Sequence, residues 1–121
     1  MKELKVIVAG GRDFNDYNLL STVLFDYAES VGEDVGISIV SGMARGADAL
    51  AHSFAKREGV QVYEFPAEWD KYGKRAGYVR NDEMAKFADS LLAFWDGKSR
   101  GTKNMIDTMT RLGKTVIVKR Y

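Results

Sequence analysis

The fold is decided by the stretch Leu4-Lys5-Val6-Ile7-Val8-Ala9-Gly10-Gly11-Arg12-Asp13-Phe14. Its first six residues are almost entirely apolar, as in a strand buried on both faces of a parallel sheet. Two glycines and a short polar stretch then lead into residues 16–31, where apolar side chains recur at spacings of three and four. That spacing is typical of an amphipathic helix. A buried strand, a glycine turn and a helix together predict an α/β fold.

The same alternation continues along the chain. Further strands are predicted at 37–40, 60–65, 90–95 and 115–118, and further helices at 47–58, 77–87 and 102–112. We expect Asn15 or Asp16 to cap the first helix, and we expect residues 66–75, which open on the single proline, to be irregular. Because strands that alternate with helices form right-handed crossovers, the pattern predicts a doubly wound, mostly parallel five-stranded sheet with helices on both faces.

Composition excludes several classes of protein. The 121 residues suit one domain, 1–121. A net charge of +1 gives no overall basic field for nucleic acid or a membrane surface. The absence of Cys excludes disulfides and thiol chemistry, and the single His52 argues against a histidine metal site. We therefore expect no cofactor or metal. Neither a signal peptide nor a bilayer-spanning run is visible, so a cytoplasmic protein is predicted.

Glycines concentrate in the turns that follow strands. Six of the 12 occupy three such turns, at Gly10, Gly11, Gly42, Gly46, Gly97 and Gly101. In a parallel sheet these turns share the carboxyl edge, where open α/β sheets bind ligands. Glycine lets backbone N–H groups approach a ligand, and helix N-termini attract anions. The alternative is that tight turns simply need glycine. The three turns together favour a phosphate-bearing ligand.

Polar side chains lie in the same turns. An arginine can clamp a phosphate, a hydroxyl can contact it or cap a helix, and a carboxylate can bind ribose hydroxyls. The candidates of these kinds are Arg12, Asp13, Ser41, Arg45, Asp48, Asp96, Ser99, Arg100 and Thr102. Helix caps and solvated loop charges are the alternative for each. The common nucleotide fingerprints are absent, because no G-x-G-x-x-G follows the first strand and the Gly-Lys-Thr at 113–115 precedes a strand.

Residues 68–81 add aromatic and basic side chains to the same edge. Trp69, Tyr72 or Tyr78 could stack on a base, or could instead pack on the core or form a subunit contact. On the predicted helix, Arg80 lies on the same face as the apolar side chains four and seven positions after it. An arginine on an otherwise apolar face indicates a functional role. It is followed by the polar Asn81.

Taken together, these motifs resemble the YspA-like branch of the SLOG superfamily. The resemblance rests on residues 8–14, 41–48, 66–69, 72–74, 94–102 and the Gly77, Arg80-Asn81 and Met84 pattern. The superfamily includes the LONELY GUY phosphoribohydrolases and DprA-type DNA-uptake proteins. The resemblance implies a Rossmann-like fold that binds nucleotides or nucleotide-derived ligands. It also implies sensors of nucleotide second messengers, including ADP-ribose derivatives in antiphage signalling, and small members that form homo-oligomers.

The chain departs from the enzymes of that superfamily at one position that matters. The LONELY GUY pattern Gly-Gly-x-Gly-Thr-x-x-Glu has a catalytic Glu, and this chain has Met105 there and Lys98 at the first Gly. Arg80 matches their catalytic Arg and is the one catalytic candidate. Asp13, Asp96 or Glu83 would have to replace the missing carboxylate.

Three functions follow from these observations. The leading hypothesis is the binding or sensing of a nucleotide or nucleotide-derived ligand, for example an ADP-ribose-type or cyclic signal, with little or no catalysis. The alternative is a nucleoside 5′-monophosphate phosphoribohydrolase that cleaves the N-glycosidic bond. The second alternative is single-stranded DNA binding, against which the near-zero net charge argues.

Overall fold

The computed structural model describes residues 2–121. Its sheet has the strand order β3-β2-β1-β4-β5, and every neighbouring pair of strands is parallel. The strands are β1 (Lys2–Gly10), β2 (Val35–Ser41), β3 (Val62–Glu64), β4 (Ser90–Trp95) and β5 (Thr115–Arg120). The predicted doubly wound α/β fold is confirmed, and the sheet within residues 2–121 is parallel throughout.

Helices cover both faces of the sheet. They are α1 (Tyr17–Val31), α2 (Ala47–Glu58), α3 (Trp69–Tyr72), α4 (Ala76–Phe87) and α5 (Arg100–Arg111). Because side chains alternate along a strand, Val6 and Val8 of β1 pack with α1 and α2, whereas Ile7 packs with α4 and α5. The continuous apolar runs of the sequence therefore supply two cores, one on each side of the sheet. No helix within residues 2–121 combines the length and apolar character needed to cross a membrane.

Several elements begin or end a few residues away from the predicted positions, and two differences are larger. Residues 66–75 were expected to be irregular, and this prediction is wrong: they contain α3 and a 3-10 turn at Gly73–Arg75. One helical turn is too short to show a periodic pattern. Strand β3 is shorter than the expected 60–65, although backbone hydrogen bonds still join Ile39 to Gln61 and Phe65 to Ser41. The cap of α1 is Asp16, whose Oδ1 accepts from the Leu19 N–H at 3.0 Å.

The order of the strands positions the site. Strand β1 lies in the middle of the sheet, between β2 and β4. From β1 the chain passes through α1 to β2 and then to β3, and it afterwards crosses to the other side of β1 to form β4. The order reverses at β1, and in open α/β sheets a crevice forms at the carboxyl ends of the strands flanking such a reversal. The loops that follow β1, β2 and β4 border this crevice.

Candidate functional site

A cavity of about 530 Å³ opens at the carboxyl edge where the strand order reverses. We call it the first cavity. Of the residues predicted from the sequence, those on its lining are Gly10, Gly11, Arg12, Asp13, Asp48, Arg80, Asn81, Asp96, Ser99, Gly101 and Thr102. Residues far apart in the chain thus meet around one space. Its volume falls in the range of roughly 300–1,000 Å³ typical of small-molecule sites.

A second cavity of about 350 Å³ lies beside the first. It is lined by three further predicted residues, Gly42, Arg45 and Trp69. The two cavities share Arg12, Ala44 and Arg80, so they are neighbours across these side chains. Of the three aromatic residues considered for stacking on a base, Trp69 lines this cavity, whereas Tyr78 lies in a separate surface depression beside Arg75.

Four predicted residues lie on neither cavity: Ser41, Gly46, Gly97 and Arg100. Ser41 is fully buried, and its Oγ accepts the N–H of Met43 at 3.1 Å, which fixes the loop after β2. Gly97 lies against the guanidinium of Arg120, and Arg100 is exposed at the start of α5. The structure gives Ser41 and Gly97 roles in shaping loops.

Gly46 holds two loops of the site together. Its φ of 73° lies in the left-handed region that favours glycine. A Cβ at this position would overlap the backbone carbonyl of Gly11. The loop after β2 can therefore rest directly on the loop after β1, which brings Asp48 of α2 close to the glycines of β1.

Arg80 is held in the wall between the two cavities. Its Nη1 donates to the carbonyl oxygen of Gly42 at 2.5 Å and its Nε donates to Oδ1 of Asn81 at 3.1 Å. A Cβ at position 42 would come within 2.7 Å of Nη1, so glycine is what admits the guanidinium. Burial lowers the pKa of Arg80 from its ordinary value, and an arginine still keeps its charge at neutral pH.

Asn81 connects Arg80 to the opposite wall. It is buried, and its Nδ2 donates to Oδ1 of Asn104 at 3.0 Å and to the carbonyl oxygen of Gly101 at 3.4 Å. Hydrogen bonds therefore run from the loop after β2, through α4, to the first turns of α5. Such a network restricts the rotamer of Arg80, which is a requirement for a preorganised anion site.

Asp48 is the carboxyl group whose pKa the site perturbs most. Burial raises this pKa to about 6, although the hydrogen bond from the Ala44 N–H and, less strongly, the charge of Arg80 oppose the shift. Oδ2 of Asp48 accepts the N–H of Ala44 at 3.0 Å. Among residues 2–121 the one ion pair at 4 Å or less joins Lys103 to Asp107, so Asp48 and Arg80 lie farther apart than that. The cavity thus contains a carboxyl group that exchanges its proton near neutral pH.

The turn before α5 is organised by Asp96. Its Oδ1 accepts the N–H groups of Ser99 and Lys98, both at 2.8 Å, and these hydrogen bonds lower the pKa of Asp96. Oγ of Ser99 accepts from the Thr102 N–H at 3.4 Å and caps α5. The helix-cap interpretation therefore holds for Ser99, while Ser99 and Thr102 also line the first cavity.

Tyr121 belongs to this edge and was missed from the sequence. Its hydroxyl donates to Oδ1 of Asp13 at 2.7 Å, and its ring meets that of Phe14 edge-on at 4.9 Å. Burial, followed by the hydrogen bond to Asp13, raises the pKa of Tyr121 to about 12. The sequence could have indicated the position of Tyr121, because the fifth predicted strand is parallel to the others and must also end at the carboxyl edge.

Apolar side chains complete the first cavity, among them Met84 and Met105. Met105 is buried in the second turn of α5, so the position at which the related enzymes have a catalytic Glu does face the cavity. Glu83, which was considered as a replacement carboxylate, is exposed on α4 and lies off the lining. Within residues 2–121 no three His, Asp or Glu side chains are grouped as a metal site requires.

Comparison with known proteins identifies the family. A model of the YspA, cpYpsA-related SLOG family matches residues 4–72, which is more than half of the chain. The Gene 61 protein of Mycobacterium phage D29 is 35% identical over 119 residues, which cover 93% of this chain and 94% of that protein. No solved structure matches the chain. The chain therefore belongs to the YspA, cpYpsA-related SLOG family.

Proposed function

We propose that this protein binds a nucleotide or nucleotide-derived ligand in the first cavity. The observation that carries the proposal is the position of a preorganised guanidinium, that of Arg80, beside a glycine-lined cavity at the reversal of strand order. Membership of the SLOG family points to nucleotide-related ligand binding or processing. A sensor of an ADP-ribose-type or cyclic signal, acting as a homo-oligomer, is the form of the proposal that the resemblance favours.

Arg80 has the capacity to bind a phosphate. A guanidinium carries five N–H groups, and Arg80 uses one on Gly42 and one on Asn81. The remaining N–H groups are free to donate to phosphate oxygens in the forked geometry that arginine provides. Arg12 supplies a second positive charge on the same cavity, and it is exposed. The same lining carries Asp13, Asp48 and Asp96, so the part of the cavity that suits a phosphate is the part next to the two guanidiniums.

The rest of a nucleotide also finds suitable partners. Asp96 has one carboxylate oxygen occupied by backbone N–H groups, which leaves the other oxygen for a ribose hydroxyl. Met84 and Met105 offer polarizable apolar surface to a base or sugar. The first cavity therefore combines the charged, polar and apolar contacts that a nucleotide needs.

Titration calorimetry with the four nucleoside 5′-monophosphates, ADP-ribose and cyclic nucleotides tests the proposal. We expect at least one to bind below millimolar concentration, and we expect Arg80→Met to weaken it by about 30-fold or more, since hydrogen bonds to charged groups are lost. Arg57→Met is the matched control, because Arg57 is exposed on α2 over the ring of Tyr17. Absence of binding by every ligand at millimolar concentration would contradict the proposal.

N-glycosidic hydrolysis is the second candidate, and Asp48 is the observation that favours it. A carboxyl group with a pKa of about 6 beside Arg80 can exchange a proton near neutral pH, as general acid–base catalysis requires. In this reaction water attacks C1′ of the ribose, and the base leaves with a proton. Met105 at the catalytic Glu position argues for binding without cleavage.

Chromatographic detection of free base and ribose 5-phosphate separates the two candidates. A hydrolase would release both from a 5′-monophosphate, and Asp48→Asn and Arg80→Met would each abolish the release. If the wild-type protein binds a nucleotide and releases no base, hydrolysis is excluded for that nucleotide and the binding proposal stands.

A further inference from the structure

We propose that the second cavity is a base-stacking subsite, and that the ligand is a dinucleotide, in which two nucleosides are joined through phosphate. The inference rests on the proposed function, because it extends a ligand bound in the first cavity.

The two cavities are joined through cations. Arg12 and Arg80 line both of them, and Ala44 is the third residue that they share. A phosphate that meets both guanidiniums therefore lies at the junction, with space on either side of it. A mononucleotide would fill one side only. A ligand with a nucleoside on each side of its phosphates matches the arrangement of space and charge.

Trp69 gives the second cavity its preference for a flat ring. This residue is 56% exposed, although burying a tryptophan is strongly favourable. It follows the β3 edge of the sheet on the short helix α3, and the N–H of Gly73 donates to its carbonyl oxygen. An exposed indole beside arginines is the combination that stacks on a base and neutralises its phosphate.

Met43 provides a second apolar surface on the same cavity. It is 47% exposed, and its φ of 62° places a side-chain-bearing residue in the left-handed region. Such backbone strain persists where the surroundings impose it and is often found at ligand sites. Here the backbone of Met43 is held by the buried Ser41, whose Oγ accepts the Met43 N–H at 3.1 Å. The fold thus holds Met43 in an exposed position although its backbone conformation is unfavourable.

Arg45 extends the positive charge to the outer side of this cavity. It is exposed, and it takes part in no ion pair at 4 Å or less among residues 2–121. The second cavity therefore contains an indole, a thioether and a cation of its own. These groups recognise a second base with its sugar and phosphate better than they recognise a sugar alone.

Matched ligands test the inference. For each of the four bases, the affinity of the 5′-monophosphate is compared with that of the dinucleoside diphosphate that carries two copies of the same nucleoside. For at least one base we expect the dinucleotide to bind at least about 10-fold more tightly, which is within the range of one base–aromatic stack. Trp69→Leu should bring the ratio of the two affinities close to one. The dinucleotide should quench tryptophan emission, and this quenching should be lost in Trp69→Leu, which retains the second tryptophan, Trp95.

Tyr78→Leu is the matched control, because Tyr78 is an aromatic residue of similar exposure that lies on neither cavity. It should leave the ratio unchanged. If mononucleotides bind and no dinucleotide gains affinity, the inference is wrong and the proposed function stands. A gain that survives Trp69→Leu also overturns it. If neither class of ligand binds, both fail. Emission that changes on dilution without ligand, and no longer does so in Trp69→Leu, would assign Trp69 to a contact between copies and overturn the inference.

Discussion

The two edges of the sheet differ in how many of their charged side chains are paired within the protein. At the amino edge they are paired with other parts of the chain. Lys114, just before β5, donates from Nζ to the carbonyl oxygens of Ala85 and Ala88, each at 2.7 Å, at the end of α4. Before β4, Oδ2 of Asp89 accepts the N–H of Lys5 at 2.9 Å. These hydrogen bonds join the turns before β4 and β5 to β1 and to the end of α4, and they stabilise the fold.

At the carboxyl edge Arg80, Asp13 and Asp96 are also hydrogen-bonded, but two arginines are left without such partners. Arg12 and Arg45 are exposed and outside any ion pair within residues 2–121. Asp48 accepts the Ala44 N–H and still carries a raised pKa. Groups of this kind add little stability and retain their capacity to bind a ligand. The difference indicates that one edge serves mainly stability, while the other has the groups on which the proposed binding depends. Substitutions at one edge should therefore affect mainly one of the two properties.

The largest effect on stability is expected at the amino edge. Lys114→Ala removes charge-assisted hydrogen bonds to the last carbonyl groups of α4, so the free energy of unfolding should fall by about 2–3 kcal/mol. Urea denaturation measures this change, and nucleotide affinity should stay the same. Lys86→Ala, at an exposed position of the same helix, is the control and should cost less than about 0.5 kcal/mol. If the two variants have equal free energies of unfolding, the paired lysine adds no stability, and the proposed difference between the two edges is wrong.

Asp48→Asn should stabilise the protein at the other edge. A raised pKa means that the folded state disfavours the ionised carboxyl group, so this group contributes least stability above pH 6 and progressively more as the pH falls toward 3.8. Asn removes the charge and can still accept from the Ala44 N–H. We expect a gain of about 2 kcal/mol at pH 7 that disappears near pH 4.

The measurement for Asp48→Asn is the difference in unfolding free energy between the variant and the wild-type protein across this range of pH. The difference isolates Asp48 from the other carboxyl groups that titrate. Asp82→Asn, at an exposed position of α4, is the control and should show no comparable dependence on pH. A variant that is less stable than the wild-type protein at pH 7 would show that the carboxylate is stabilising.

Two helix caps at the carboxyl edge allow the effect on stability to be separated from the effect on ligand binding. Ser99→Ala and Asp16→Ala each remove the side-chain acceptor at the start of a helix and should cost about 1 kcal/mol of stability. Ser99 lines the first cavity and Asp16 does not. We therefore expect ligand affinity to fall only in Ser99→Ala. Thermal denaturation and calorimetry on the same samples would show whether a cap can be lost without loss of binding.

The smallest effect is expected for the exposed ion pair on α5. Lys103 and Asp107 are separated by 2.7 Å, yet their side chains are 60% and 48% exposed. Lys103→Ala should change the free energy of unfolding by less than about 0.5 kcal/mol. If Lys103→Ala lowers the free energy of unfolding as much as Lys114→Ala does, an exposed pair stabilises the protein as well as a partly buried one. Burial would then not explain the stabilising effect of Lys114 at the amino edge.

Local patterns in the sequence predicted most of the fold. Apolar runs and three-to-four spacings gave the five strands and the long helices, and Asp16 acts as the expected cap. The four-residue α3 was not predicted, because one turn has no period. Topology then made the candidate site predictable, since the turns after β1, β2 and β4 must share one edge.

Other parts of the site depend on contacts between distant residues. Tyr121 reaches Asp13 because β5 pairs with β4 and ends beside the loop after β1. Arg80 reaches Gly42 across 38 positions of the chain. No local pattern encodes either distance. Ser41 and Gly97 were also predicted as ligand contacts, and only the folded loops show that they shape the turns instead.

The sequence by itself determined the fold class, the edge at which a ligand would bind and the types of residue available there. It could do so because periodicity and glycine turns are local properties of the chain, and a parallel sheet collects such turns at one edge. Only the tertiary structure decided which of these residues share a cavity, which are used within the protein and which remain free. Burial and pairing depend on the relative placement of distant segments, as the raised pKa of Asp48 and the exposed Trp69 show.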